Sequence, residues 1–167
     1  MERRFEISKR LSREHQGVAS LLGRLELFLL TAGQEPPHWQ KPETRQLMSD
    51  VRGALRAEIP QHFAIEEQSL FPLFAEHGGE DLVELLLEDH RHILDLVAEL
   101  RPLVEQTLAS PDGLTRPEWE TFRAQARSLV TELGSHAEKE ELGFVPAMDE
   151  LMEPATAKAI LDRYLQM

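Results

Sequence analysis

Residues 62–67 read HFAIEE and residues 136–141 read HAEKEE. In each, a histidine precedes a glutamate by four positions, which on an α-helix puts both side chains on one face, one turn apart. That face is otherwise apolar. Leu47, Val51, Leu55, Ile59, His62, Glu66, Leu70 and Leu73 recur at helical steps, as do Phe122, Ala126, Leu129, Leu133, His136, Glu140, Phe144 and Ala147. Helices of this kind must pack on one another, and the carboxylates in their apolar stripes must find a counter-charge, because an unpaired buried carboxylate is strongly destabilising. Neither Glu66 nor Glu140 has a Lys or Arg on its own stripe within a turn or two. A shared cation would neutralise both.

Two further stripes complete the core. The first helix, about 5–30, carries Ile7, Leu11, His15, Val18, Leu22, Leu25 and Leu29; the third carries Leu82, Leu86, His90, Ile93, Val97, Leu100 and Val104, with Pro102 expected to bend its end. The breaks between helices fall at TAGQEPPHWQKPE, at Gly78-Gly79 and at LASPDG. Thr115-Arg116-Pro117-Glu118 has the form of a capping box that opens the fourth helix. The expected fold is all-α: an antiparallel four-helix bundle over about 5–148, with a short extra C-terminal helix over about 154–166, in one domain spanning 1–167.

The ligand types repeat as well. His15 and His90 are 75 residues apart, His62 and His136 are 74 apart, and so are Glu66 and Glu140. Neighbours follow the same pattern: Glu14 answers Asp89, Glu67 answers Glu141, and Phe71-Pro72 answers Val145-Pro146. The core positions therefore repeat as two helix-pair halves.

Composition narrows the chemistry. The chain has no cysteine, which removes thiolate catalysis, iron–sulfur ligation and Cys-based zinc sites and fits a reducing compartment. A net charge of −12 argues against nucleic acid and anionic membrane as partners. The basic start, MERRFEISKRLSREH, is followed by no apolar segment of leader or membrane-spanning length, so a cytoplasmic location is expected.

The pattern H…HxxxEExxxxP, given twice over about 8–148, resembles the hemerythrin-like (HHE cation-binding) family. The resemblance implies a bundle around two non-haem irons, oxo- or hydroxo-bridged, held by His15, His62, Glu66, His90, His136 and Glu140, with the two glutamates bridging. Oxygen-carrying members have a further histidine one turn after the third-helix ligand; here that place is Leu94, and His92 points about 200° away. The carriers also use an aspartate at i+5 where this chain has Glu140 at i+4. The arrangement looks more like the bacterial di-iron proteins that respond to nitric oxide and repair iron–sulfur centres, without their cysteine-bearing N-terminal segment.

If His15 and His62 serve one iron and His90 and His136 the other, each has two nitrogens and two carboxylate oxygens. With a solvent bridge, one position then stays open on each. Adjacent open positions favour reaction with O2, peroxide or NO in a stress response. The alternative is a reversible O2 carrier or an O2 or iron sensor without turnover. A sensor would need a separate protein partner, with the surface around Leu161 and Tyr164 available to it. Imidazole-rich sites suit iron over manganese.

The carboxylates beside the ligand-type residues divide into two kinds. Glu14 and Asp89 are equally placed to support the histidines or to be solvated, while Glu67 and Glu141 are expected on solvated flanks. Pro60 and Gly134, each two residues before a ligand-type histidine, either kink their helices and so aim His62 and His136, or are two helix breakers that coincide. His38, His77 and His92 are expected at the surface. Trp39 and Trp119 are expected to pack, and Tyr164, after the bundle, is expected to lie away from the metals.

Overall fold

A computed structural model describes residues 4–167; residues 1–3, the start of the basic N-terminal stretch, lie outside the described residues. Five helical segments follow one another. They are α1 (Glu6–Ala32), α2 (42–75), α3 (Glu80–Ala109), α4 (116–151) and α5 (Pro154–Tyr164). No strand occurs among the described residues, and none of their helices is long and apolar enough to cross a membrane.

The core falls into two apolar clusters. One gathers Leu22, Leu25 and Leu29 of α1 with Leu47 to Phe63 of α2, Ile93 to Val104 of α3 and Trp119 to Leu133 of α4. The other gathers Ile7 and Leu11 with Ile65, Leu70, Phe71, Val83, Leu86, Phe144 and Met148, and is roofed by Ala157, Ile160 and Tyr164 of α5. Helices α1 and α3 run from the second cluster to the first, and α2 and α4 run back, so the bundle is up-down-up-down. His15, His62, His90 and His136 lie at the boundary between the clusters. Burying apolar area on both sides of this layer stabilises the fold and fixes the height at which the polar side chains meet.

Helix ends follow local chemistry. Thr115 and Glu118 form the capping box, with the Thr115 N–H donating to Glu118 Oε2 at 2.7 Å. Asp149 of α4 accepts the Arg4 and Phe5 N–H groups at 2.7 and 3.1 Å, tying the start of α1 to the end of α4. In the turn before α4, Gly113 has φ 64° and lies so close to Trp39 that an added Cβ would fall 2.1 Å from the ring, so only glycine fits. Trp39 and Trp119 pack edge-on with centroids 5.7 Å apart, as packing anchors.

The two long even-numbered helices are not regular. Helix α2 contains π-helical turns at Ala54–Glu58 and Glu66–Leu70, and α4 contains one at Glu140–Phe144. Each closes with an i→i−5 hydrogen bond, from the N–H of Ile59, Phe71 or Val145 to the carbonyl of Ala54, Glu66 or Glu140. The closing residue is in every case followed by proline: Pro60, Pro72 and Pro146. A proline ring presses on the carbonyl four residues back and offers no N–H, and a widened turn just before it relieves the clash.

These turns correct two sequence expectations. Gly134 lies inside the regular stretch Arg116–Lys139, so Pro60 and Gly134 are not paired kinks. Because a π turn inserts one residue into the helical register, Phe71, Val145 and Met148 are buried where the 3.6-residue period places Leu73 and Ala147, which are only half-buried.

Candidate metal centre

Each of the four bundle helices delivers one histidine to the layer between the clusters, and α2 and α4 each add a glutamate one turn on. Both glutamates are fully buried, and each is the first residue of a π turn. The six residues converge. Their donor atoms form two groups able to hold a metal ion, His15, His62, Glu66 and Glu140 in one and Glu66, His90, His136 and Glu140 in the other, with the atoms of each group within 4.8 Å of one another.

The glutamates face both ways. Glu66 turns Oε1 to His62 Nε2 at 3.1 Å and Oε2 to His90 Nε2 at 3.5 Å. Glu140 turns Oε2 to His15 Nε2 at 3.0 Å and Oε1 to His136 Nε2 at 3.2 Å. Within each half the imidazoles also meet: His15 Nε2 lies 3.1 Å from His62 Nε2, and His90 Nε2 lies 3.2 Å from His136 Nε2. Yet all four carboxylate oxygens of Glu66 and Glu140 lack a partner with hydrogen-bond geometry. Imidazole nitrogens and carboxylate oxygens thus converge on two points while the oxygens stay unsatisfied, and this is an arrangement a cation completes.

Without a cation, protons must hold the charges together. Burial works against the charged imidazolium of His62, but the charge of Glu66 and the contact with Glu14 outweigh it and raise its pKa well above the ordinary value. For His90, burial is likewise outweighed by contacts with Glu140 and Glu66, and the pKa rises to about 9. Burial would raise the pKa of Glu140, but its four histidine neighbours, His136 first, hold it well below the usual carboxylate range.

The outward nitrogens are all engaged. His15 Nδ1 meets Glu141 at 3.2 Å, His62 Nδ1 meets Glu14 at 2.8 Å, His90 Nδ1 meets Glu67 at 2.7 Å and His136 Nδ1 meets Asp89 at 3.3 Å. Glu67 and Glu141 are therefore not mere solvated flanks, and all four outer carboxylates fix imidazole orientation so that Nε2 points inward. The pairing crosses helices. Glu14 precedes His15 but serves His62, and Asp89 precedes His90 but serves His136.

A cavity of about 210 Å³ opens between α1 and α2 and reaches His15, His62, His136 and Glu140. Apolar side chains of Val18, Ile59, Phe63 and Leu133 line it, with Gln61, Arg10 and Tyr164 among its polar walls. His90 does not line it. Phe63 stacks on the His90 ring with centroids 3.6 Å apart and planes 5° apart, and Phe71 covers it further at 5.3 Å.

Three contributors carry no signal in the i, i+4 pattern or lie elsewhere than it implies. Phe63 and Lys139, whose Nζ donates to Asp89, lie between the patterned positions, which assign them no role. Tyr164, expected away from the metals, donates its hydroxyl to Glu14 Oε2 at 2.6 Å because the tight link at Met152-Glu153 folds α5 back over the bundle. His38, His77 and His92 are exposed and take no part.

No curated protein matches the chain. The model of the hemerythrin HHE cation binding domain family matches residues 6–148, which runs from the first residue of α1 into the last turns of α4 and takes in all six converging side chains. By the extent of that match the chain belongs to the hemerythrin HHE cation-binding domain family.

Proposed function

We propose that the protein holds two non-haem iron ions and uses them to react with O2, peroxide or nitric oxide. The supporting observation is the pair of buried donor sets that share Glu66 and Glu140 while a cavity reaches imidazoles of both sets. In this reading His15 and His62 hold the first ion, His90 and His136 hold the second, and both glutamates span the pair. Two nitrogens and two carboxylate oxygens per ion suit iron better than manganese or magnesium, which favour oxygen-rich sets. Bound iron supplies the electrons that a small oxidant needs.

The chain's own side chains prepare that reaction. Glu14, Glu141, Glu67 and Asp89 keep the imidazoles turned inward. Apolar cavity walls admit small neutral molecules and limit water. The likeness to nitric-oxide-responsive and repair-type members, and a role in oxidative or nitrosative stress, belong to this proposal.

A second reading is a reversible O2 carrier or sensor. It draws on the closure of His90 beneath Phe63, which leaves the cavity in contact with one complete imidazole pair and half of the other. Anaerobic loading with ferrous iron followed by additions of O2, peroxide or NO separates the readings. Consumption of many equivalents in the presence of a reductant supports the reactive centre. Uptake of one equivalent, released on deoxygenation, supports the carrier. A protein that takes up no iron contradicts both.

A further inference from the structure

The single tyrosine of the chain ends a line of hydrogen bonds that enters only one half of the centre. Tyr164 Oη donates to Glu14 Oε2 at 2.6 Å, and that same oxygen lies 2.8 Å from His62 Nδ1. Arg10 Nε donates to the other oxygen, Glu14 Oε1, at 2.8 Å, and its guanidinium lies 4.3 Å over the Tyr164 ring. The ring is buried beside Ala157 and Ile160 and cannot swing freely. Arg163, next to it, donates to Ser69 Oγ at 3.0 Å and holds this end of α5 against α2.

The other half is braced differently. Its matching carboxylate, Asp89, takes Lys139 Nζ, from the same helix as His136. Helix α5 thus reaches into the outer layer of the first half and not into that of the second.

We propose that Tyr164 is a positioning residue for the first metal position: by fixing the Glu14 carboxylate it holds His62 in its ligating orientation, which makes α5 part of the centre. The inference rests on the two-ion reading above. A carboxylate held at both oxygens, by Tyr164 and Arg10, stays on the imidazole. Freed at one oxygen, it can rotate away and leave the ring less firmly aimed. Loss of such an outer partner weakens metal affinity by about 10- to 100-fold. Phenylalanine at this position keeps the ring, its burial and its contact with Arg10, and removes only the donor.

The test is metal release from the full-length, iron-loaded protein into excess chelator, followed by stopped flow. Wild type should release its two ions in two phases, and H15A, which removes a ligand of the first position, identifies which phase belongs there. Y164F should speed that phase about 10-fold and leave the other unchanged, whereas K139M should do the reverse. In metal-free protein Y164F should also shift the His62 ring nitrogen resonance without lowering the thermal midpoint, a signature that a purely packing role would not give. Two phases unaltered by Y164F, or both accelerated alike, would overturn the inference. A wild type that binds fewer than two ions fails at an earlier step: it overturns the two-ion reading, and this inference with it.

Discussion

The two halves of the centre share a ligand pattern and a carboxylate on every outward nitrogen, and differ in exposure, in contact with the cavity and in the groups that hold Glu14 and Asp89. His15 and His62 are 7% and 8% exposed, border the cavity, and are braced by a glutamate held by a tyrosine and an arginine. His90 and His136 are each 1% exposed, lie against Phe63, and are braced on one side by an aspartate held by a lysine. A duplicated donor set therefore does not make two equivalent sites. The cavity meets both imidazoles of the first half and only His136 of the second, and the imidazole it misses, His90, lies stacked against Phe63, whose repeat equivalent 74 positions on is Ala137.

Substitutions at the shared and unshared ligands should break the comparison most sharply. Glu66→Ala or Glu140→Ala removes an oxygen donor from both groups, and metal analysis should show loss of both ions. His15→Ala or His90→Ala should leave about one ion per chain, since each removes one imidazole from one group. Two ions retained in the glutamate variants would contradict the bridging assignment.

Phe63→Ala should blur the difference next. Removing the ring exposes His90 to the cavity at a cost of about 3 to 5 kcal/mol in stability. Thermal denaturation should register the loss, and azide titration of the loaded protein should show a binding event absent from wild type. An unchanged titration would mean that something other than Phe63 closes the second half.

A smaller effect should appear with pH in the metal-stripped protein. The folded-state pKa of His90 lies at about 9, above the ordinary 6.5. Its contribution to stability is therefore fully present below pH 6.5 and is lost as pH rises towards 9. The thermal midpoint of the stripped protein should fall across this window, while that of the loaded protein, with the His90 nitrogen engaged, should not follow it. The smallest effect is expected at the exposed His92: His92→Ala should leave both metal content and thermal midpoint unchanged within error.

Much of this layout was legible in the chain. The i, i+4 spacing of His62 with Glu66 and His136 with Glu140, repeated at 74 residues, gave the bundle and the convergence, because helical periodicity fixes faces independently of tertiary contacts. What periodicity could not give were features that depend on which helix lies beside which. Glu14 is adjacent to His15 in sequence, yet it braces His62 on the neighbouring helix. Tyr164 reaches Glu14 only because α5 folds back, across 150 residues of chain. The register beyond Glu66 and Glu140 was also lost to a 3.6-residue wheel, although the repeated Phe71-Pro72 and Val145-Pro146 pairs stood at the π turns that shift it.

Those turns set two demands on the chain against each other. A proline inside a helix costs about 3 kcal/mol relative to alanine, and the protein accepts one six residues after each of the two glutamates, directly behind the residue that closes the π turn. Regularising α2 and α4 there would restore backbone hydrogen bonds and tighten the helices, while removing the inserted residue that brings Phe71 and Val145 into the second apolar cluster. Helix regularity and the burial of Phe71 and Val145 thus pull in opposite directions at the same two turns, and a change that regularised them for heat resistance would give up that packing.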